Sequence, residues 1–426
     1  MTFEMTQENE ETYVDEPYVS KVPNYEVSEL AFLLQKTKAP ESYDKLMQKI
    51  QGQDMAPYYM YLKDHDYFQG VAAFDETLYN NMKTINDAKV EELKQKITKA
   101  EEEDDGELEK AYSWLKLGEY YAQIGDLENA VETLTKAQEV SVSTGAKIDI
   151  LLTITRLGFF YDDQHFVKQR LEQVNLLIEK GGDWERRNRY KTYRGVHCLS
   201  TRNFKEAAEL LCDSLATFTS LELTSYEKIA TYASVAGLVS LERLELKNKI
   251  IDSPEILSMM ANTSPLESVF SLAMSLYTSD YASFFPYLLE TRETVILPCK
   301  YLNVHADYFM REMRRKVYSQ LLESYKTLSL KSMADSFGVS VEFLDNDLSK
   351  FIPNKQLSCV IDRVNGIVET NRPDNKNAQF HSLVKQGDGL LTKLQKYGAA
   401  VRLTGDNPGL AEPETSAKPE ASASAA

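Results

Sequence analysis

The chain has 426 residues, of which 43% are apolar, and its formal net charge is −17. This length and apolar content exceed what one hydrophobic core usually holds, so we expect two or more packed units. The negative charge repels phosphate groups and anionic lipid head groups, which argues against nucleic-acid and membrane binding and favours protein partners.

Both ends of the chain are predicted to be disordered. Residues 1–20 are predicted to be an acidic arm, because they contain no basic residue. Its acidic members are Glu4, Glu8, Glu10, Glu11, Asp15 and Glu16. Residues 405–426 consist largely of Ala, Ser, Pro, Glu and Gly. Neither composition buries enough apolar surface to offset the entropy of ordering a chain.

Apolar residues recur every three or four positions between these ends, so the protein is predicted to be mainly α-helical. Residues 21–105 are assigned to N-terminal helices. They include a strongly charged helix from Asp87 to Lys110, whose thin apolar stripe is Val90, Leu93 and Ile97. We favour a solvated helix lying on the core over an independent coiled coil, which needs several sustained heptads.

Residues 106–300 carry a pattern typical of tetratricopeptide-like helical pairs. The first pair is indicated by Trp114, Leu117, Gly118, Tyr121, Ala130 and Ala137. In such a pair, a small residue lets two antiparallel helices approach closely. Weaker matches to the same pattern around Gly158 and Gly195 predict a solenoid of three or more stacked helical hairpins. The alternative is an ordinary helical bundle in which glycines and aromatic residues coincide.

Residues 301–375 are predicted to form a winged helix, in which a helix-turn-helix precedes a β-hairpin. Ser329 is a good N-cap for the first helix, Gly338 suits its C-terminal turn, and Ser340 caps the second helix. The inward residues of the second helix are predicted to be Val341, Leu344 and Leu348.

The hairpin is predicted from alternating residues in 356–370, with Asn365-Gly366 as a two-residue type I′ turn. Its edge strand, with Val360 or Val368 exposed, is expected to add a strand from a neighbouring protein. Packing onto the preceding helices is an equal alternative. The interface candidates of the hairpin are Val360, Ile361, Val364, Ile367 and Val368.

A winged helix can bind DNA, but the second helix of this one has an acidic outer face. That face is predicted to contain Glu342, Asp345, Asn346 and Ser349, with Asp347 beside it. Such a helix repels phosphates, so a role in joining proteins is favoured. A nucleic-acid-binding winged helix remains an alternative because Lys350, Lys355 and Arg363 flank the wing.

Residues 376–404 are predicted to form a terminal helix that follows a complete module and carries a broad apolar stripe. Its interface candidates are Phe380, Leu383, Val384, Leu390, Leu391 and Leu394. We expect this helix to enter a bundle with partner helices, and docking within its own chain is the alternative.

Signals for chemistry are weak, and we predict no catalytic residue, metal or cofactor. The histidines lack H-E-x-x-H spacing, and no phosphate-binding Gly-x-x-x-x-Gly-Lys loop is present. His197-Cys198 is favoured as ordinary packing over a Cys–His nucleophile. Arg186, Arg187 and Arg189 are candidates for clamping an acidic partner, although a helix start capped by Asp183 explains the same residues.

Several blocks of the chain resemble PCI proteins, most closely those of the proteasome lid. The blocks are residues 106–111, 117–126, 181–193, 279–290, 311–318 and 371–379. The third begins Gly-Gly-Asp-Trp-Glu-Arg-Arg-Asn-Arg-Tyr, and the fifth is Arg-Glu-Met-Arg-Arg-Lys-Val-Tyr. The resemblance spans roughly residues 17–405, with departures in the first sixteen residues and from about residue 39 to residue 79.

The resemblance implies a non-catalytic structural subunit of the lid of the proteasome regulatory particle, acting in ubiquitin-dependent protein degradation. It implies assembly with other PCI subunits through the winged helix and the terminal helix, and contacts with the ATPase ring and the lid metalloprotease subunits. No membrane or nucleic-acid partner is expected. We expect the protein in the cytoplasm and the nucleus. A PCI scaffold of the signalosome is the alternative within the same family.

Overall fold

The computed structural model of the chain describes residues 20–68, 70–72, 74–102, 107–260, 264–371 and 375–404. The side chains of residues 375, 378, 403 and 404 are not described. The predicted disordered ends lie outside these ranges, except for Ser20. Helical pairs lead into a winged helix and a long C-terminal helix, which confirms the predicted fold class. No helix in the described ranges has the length and apolarity needed to cross a membrane.

The N-terminal helices enclose a core of their own. They are α1 (Tyr25–Thr37), α2 (Pro40–Gly52), α3 (Ala56–Asp64) and α4 (Glu76–Glu102). Leu34, Ile50 and Tyr59 are fully buried in this core, and Phe160 enters it from a later helix. The core therefore fixes the N-terminal unit against the solenoid.

The charged helix differs from its predicted bounds of Asp87 to Lys110. Helix α4 begins at Glu76 because Asp75 accepts hydrogen bonds from the backbone of Thr77 and Leu78, and because Met82 packs into the N-terminal core. It ends at Glu102, and Lys110 belongs to the next helix.

Three helical pairs form the first part of the solenoid. They are α5 (Glu107–Ile124) with α6 (Leu127–Val140), α7 (Thr144–Tyr161) with α8 (Gln164–Gly181), and α9 (Trp184–Ser200) with α10 (Phe204–Leu215). A Cβ atom added at Gly118, Gly158 or Gly195 would lie 2.6–2.7 Å from a side chain of the paired helix. The predicted glycine repeat thus marks a point of close approach between the two helices of each pair.

The second part of the solenoid consists of α11 (Tyr226–Ser240), α12 (Arg243–Leu246), α13 (Pro254–Met260), α14 (Ser264–Thr278) and α15 (Tyr281–Thr291). Gly237 of α11 makes a similar close approach, 2.4 Å from Ile250 Cδ1 to an added Cβ. The apolar core runs without interruption from this region into the winged helix. The solenoid and the winged helix are therefore packed as one unit.

The winged helix consists of α16 (Ala306–Ser324), β1 (Thr327–Ser329), α17 (Leu330–Phe337), α18 (Val341–Phe351), β2 (Cys359–Asp362) and β3 (Ile367–Thr370). Ser329 Oγ and Ser340 Oγ accept hydrogen bonds from the first turns of α17 and α18, and Gly338 has a φ of 64°. These three predicted helix ends are confirmed. The last element is α19 (Asn375–Thr404).

The sheet corrects three predictions about the wing. It has three antiparallel strands in the order β1-β3-β2, so a short strand before α17 was missed. Residues 363–366 form a four-residue loop, because Asp362 Oδ1 accepts from the backbone of Val364 and Asn365, and the predicted two-residue type I′ turn is wrong. Val368 lies on the central strand and is fully buried, so the exposed edge residue is Val360.

Helix α18 corrects two further predictions. Val341 was predicted to point inward, but it is the first residue of the helix and is exposed. Asp347 was placed beside the outer face, but it is buried. The inward side of the helix consists of Leu344, Asp347, Leu348 and Phe351.

Candidate functional site

The outer strand β2 presents an exposed edge with apolar side chains at one end of the sheet. Val360 is 53% exposed and Val364, in the loop that follows, is 94% exposed. Ile361 packs against the core of the winged helix, whereas Ile367 is half-buried on the opposite face of the sheet, which it shares with Val360. Of the predicted interface candidates in the hairpin, only Val368 is buried, because its side chain lies in the core beneath the sheet. An edge of this kind is suited to binding another chain.

The outer face of α18 is not an electropositive surface. Glu342 and Asn346 are exposed, and Asp345 forms an ion pair with Arg363 of the wing at 2.9 Å. Arg363 also donates to Ser349 Oγ at 3.2 Å. Arg363 was one of the basic residues that supported a nucleic-acid role. It is held by a carboxylate of α18, the helix that would have to enter the major groove.

Helix α19 exposes its apolar stripe along its whole described length. Phe380, Leu383, Val384, Leu390, Leu391, Leu394, Tyr397 and Val401 are each at least 46% exposed. At about 100° per residue they occupy roughly 140° of the helix circumference. Fully burying one such side chain stabilises a structure by about 1.5–3 kcal/mol. The stripe therefore provides a large driving force for association that the chain's own core does not use.

The arginines at the start of α9 are engaged within the chain. Arg186 binds Asp149 of α7 through Nε and Nη2, the latter at 2.6 Å, and its Nη1 pairs with Asp183. Arg189 is buried and pairs with Glu185 of its own helix. Only Arg187 is exposed, and its Nε donates to the Gly182 carbonyl. The cluster ties α9 to α7, and two of its three guanidinium groups already have carboxylate partners.

Cys198 and His197 do not form a reactive pair. Burial raises the pKa of the Cys198 thiol to about 11, so the nucleophilic thiolate is scarce at neutral pH. His197 Nδ1 lies 3.2 Å from Gln164 Oε1. Within the described residues, no group of three or more His, Cys, Asp or Glu side chains is arranged to hold a metal ion.

Two lysines that the sequence did not single out hold the solenoid to its neighbours. Lys300 Nζ donates to Ser28 Oγ and to the carbonyls at the end of α7, Phe159 and Phe160. Lys316 Nζ, on α16, donates to Leu238 O and Leu241 O at 2.6 Å each. Burial lowers the pKa of each amine to about 8. Their partners are distant in the chain, so no local pattern could have marked them.

Comparisons with protein families match three successive regions of the chain. Residues 75–249 match the family described as 26S proteasome subunit RPN7, and residues 281–372 match the PCI domain. Residues 379–401 match the C-terminal helix of 26S proteasome regulatory subunit RPN7/PSMD6. This last match covers the whole exposed stripe of α19.

Curated proteins from several eukaryotes are similar over most of their length. The 26S proteasome regulatory subunit RPN7 of Saccharomyces cerevisiae is 65% identical over 93% of this chain and 97% of its own length. The corresponding subunit rpn7 of Schizosaccharomyces pombe is 44% identical over 88% of this chain and 94% of its own. COP9 signalosome complex subunit 1 of Arabidopsis thaliana is a more distant relative, 25% identical over 64% of this chain and 61% of its own.

Proposed function

The chain belongs to the family of 26S proteasome regulatory subunit RPN7, and we propose that it serves as a non-catalytic scaffold in the lid of the regulatory particle. In this role it joins other PCI subunits through its winged helix and its C-terminal helix, and it contacts the ATPase ring and the lid metalloprotease subunits. The assembly acts in ubiquitin-dependent protein degradation, in the cytoplasm and the nucleus.

The exposed stripe of α19 is the observation that carries the proposal. Leu391 and Leu394 are both more than half exposed on a helix that follows a complete winged helix. A helix with a one-sided apolar stripe needs a surface to cover it, and partner helices provide one in a shared bundle. The match of this helix to its own family in the comparisons supports the same assignment.

The edge of the wing supports a second contact with a neighbouring PCI subunit. Strand β2 is the outer strand of the sheet, and Val360 stands exposed on it. A neighbour's strand or wing placed against this edge would satisfy its outward backbone groups and cover the valine. The two contacts lie on different elements, so each can be removed separately by mutation.

A scaffold role also fits the state of the polar groups inside the described chain. The thiol of Cys198 has a raised pKa, and Arg186 and Arg189 of α9 are held by Asp149, Asp183 and Glu185. These groups stabilise helix packing, as expected of a scaffold.

Native purification followed by mass identification of the partners tests the proposal. We expect a large set of helical PCI subunits together with ATPase subunits of the proteasome. Recovery of signalosome subunits instead would move the scaffold to that assembly, and recovery as a free monomer would rule out a scaffold role. Salt-sensitive binding of duplex DNA by the purified chain would favour the nucleic-acid alternative.

A further inference from the structure

The C-terminal ends of two helices meet where the N-terminal unit contacts the solenoid. Helix α3 ends at Asp64, and helix α7 ends at Tyr161. The rings of Tyr61 and Tyr161 touch edge to face at this point, with their centroids 4.9 Å apart. The last turn of a helix carries partial negative charge, so two such ends close together favour a cation.

Exposed carboxylates add to the negative charge at these helix ends. Asp64 and Asp66 lie at and just beyond the end of α3, and Asp162 follows α7. All three are exposed, and none forms an ion pair within the part of the chain that the structure describes. Two lysines of this region are engaged elsewhere. Lys63 lies over an aromatic ring of the N-terminal core, and Lys300 Nζ donates to three oxygens inside the chain.

Four tyrosine hydroxyl groups converge beside these carboxylates. Burial raises the pKa of Tyr58 well above its ordinary value, and the hydroxyl groups of Tyr161, Tyr67 and Tyr61 raise it further. Burial also raises the pKa of Tyr61 and of Tyr67, and the Asp162 carboxylate contributes to both increases. Such mutual effects act over short distances, so the phenol oxygens and the carboxylate lie close to one another.

The hydroxyl group of Tyr58 lacks a hydrogen-bond partner among the described residues, although only 3% of this residue is exposed. Tyr161 Oη, by contrast, donates to the Gly125 carbonyl at 2.5 Å. A buried hydroxyl group without a partner costs free energy, because it has given up hydrogen bonds to water. Tyr58 Oη is therefore available to a ligand that enters between the other hydroxyl groups.

An arginine side chain matches this set of groups. Carboxylates and phenol oxygens accept hydrogen bonds, and a guanidinium group offers five donors in one plane. Tyr67 also offers its ring, which no other ring or cation covers in the described ranges. A guanidinium group is attracted to the face of such a ring within about 6 Å of its centre. A metal ion fits less well, because the described residues contain no group of three or more ligands arranged to hold one.

We propose that this surface binds an arginine in a basic segment of another protein. The tyrosine–aspartate surface, as we call it, consists of Tyr58, Tyr61, Asp66, Tyr67, Tyr161 and Asp162. The guanidinium group pairs with Asp162 and Asp66, stacks on Tyr67 and donates to Tyr58 Oη. The net charge of −17 attracts a basic segment from a distance. This contact goes beyond the scaffold role, because it lies on neither the winged helix nor α19.

Binding of a labelled peptide to the purified full-length chain tests the tyrosine–aspartate surface. The probe is a fluorescein-labelled peptide in which three arginines alternate with glycines. We expect Asp66→Asn, Asp162→Asn to weaken its binding at low salt about tenfold, because two unscreened carboxylates are lost. The backbone should be preserved, since Asp66 and Asp162 have φ values of 57° and 62°, a region that asparagine also adopts.

A matched double variant controls for the loss of two charges. Glu91→Gln, Glu139→Gln removes two exposed carboxylates from α4 and α6, and it should bind the arginine peptide like the original chain. A loss of affinity as large as that of the aspartate variant would show that the peptide responds only to net charge, and would overturn the proposal. Unchanged affinity in the aspartate variant would overturn it as well.

Tyr58→Phe separates binding from folding. The hydroxyl group makes no hydrogen bond within the described chain, so the free variant should resist urea at least as well as the original chain. Its affinity for the arginine peptide should fall about threefold. Tyr325→Phe, at an exposed tyrosine near the winged helix, is the control and should bind normally. Equal affinities of the two tyrosine variants would contradict the proposed contact with Tyr58.

A peptide with lysines in place of the arginines tests the choice of side chain. Lysine has a compact ammonium group that neither spans two carboxylates nor stacks on a ring as a planar guanidinium group does. We therefore expect the lysine peptide to bind the original chain about threefold more weakly than the arginine peptide. Equal affinities for the two peptides would overturn the assignment of an arginine to this surface.

Discussion

Arg314 of α16 holds the buried carboxylate of Asp347 on α18, with Nη1 3.0 Å and 2.9 Å from its two oxygens. Tyr318 Oη adds a hydrogen bond to the same carboxylate at 3.3 Å. The pair joins the helix that leaves the solenoid to the second helix of the winged module. The orientation of the winged helix on the solenoid therefore depends on a buried charge that has one cationic partner on α16.

Removing the two members of this pair is predicted to have unequal effects. Arg314→Leu leaves the Asp347 carboxylate buried without its cation, so we expect a loss of about 3 kcal/mol in the free energy of unfolding. Asp347→Leu should cost less, because the Arg314 side chain remains partly exposed and can be hydrated. The double variant should recover most of the loss.

Urea unfolding of the four proteins measures this asymmetry. Losses of equal size in the two single variants, or a double variant that is simply the sum of both, would show that the charge pair does not hold the joint.

Local signals in the sequence predicted the winged helix well. The errors in that prediction arise from contacts between residues that are distant in the sequence. Ser329, Gly338 and Ser340 were identified because a helix cap depends on residues within one turn. Asp347 was misplaced because its partner, Arg314, lies on another helix far away in the sequence. The three-residue strand β1 was missed because its pairing with β3 is visible only once the chain has folded.

The solenoid illustrates the same distinction. The repeat of Gly118, Gly158 and Gly195 was visible because each glycine recurs at the period of a helical pair. Gly237 makes an equally close approach, but its neighbour Ile250 lies in the π-helical segment Lys247–Ile251, where the sequence repeat is no longer recognisable. For the candidate surfaces, the exposed stripe of α19 agrees with the sequence pattern, whereas the burial of Val368 followed from a strand order that the sequence did not predict.

The close approach of the first helical pair can be tested with a single methyl group. Gly118→Ala places a Cβ 2.6 Å from Leu134 Cδ2, so α5 and α6 must move apart. We expect a loss of about 1–3 kcal/mol in the free energy of unfolding. Gly52→Ala is the control, because nothing lies within 4 Å of its added Cβ. Thermal unfolding that shifts equally in the two variants would contradict the packing.

The lysine at the joint between α11 and α16 is predicted to make stability depend on pH. Burial lowers the pKa of Lys316 to about 8 in the folded chain, against an ordinary value of 10.5. Between these values Lys316 binds more protons in the unfolded chain than in the folded one, so its contribution to stability rises with pH. Lys316→Met should remove this part of the rise and leave the carbonyls of Leu238 and Leu241 without their donor.

Urea unfolding between pH 7.5 and about 9.5, below the ionisation of ordinary tyrosines near 10, measures the slope. The exposed Lys326 provides the control, since Lys326→Met should keep the slope of the original chain. Lys300, whose pKa is also lowered to about 8 by burial, contributes to the slope of every variant, and the four cysteine thiols, whose pKa is raised by burial, contribute in the opposite direction. The predicted result is therefore a lower slope in Lys316→Met than in the original chain. An unchanged slope in that variant would contradict the burial of its amine.

A mutation at the exposed edge of the wing is predicted to weaken assembly without changing the stability of the free chain. Val360→Lys places a cation opposite Glu369 on the neighbouring strand, so the free chain should keep its stability to within about 0.5 kcal/mol. The charge removes the apolar edge, and we expect less of the variant in the native assembly. Val304→Lys, at another exposed valine away from the sheet, is the control. Normal incorporation of Val360→Lys would exclude this edge as a contact.

The scaffold role depends above all on the stripe of α19, and charging it is the most direct test. Leu391→Glu places a carboxylate in the stripe, and Thr392→Glu places the same charge on the opposite side of the same turn. Both free chains should unfold like the original. Measured by quantitative mass spectrometry of the native assembly, Leu391→Glu should be lost from the proteasome lid, whereas Thr392→Glu should be retained. Retention of Leu391→Glu at the level of the original chain would contradict the account.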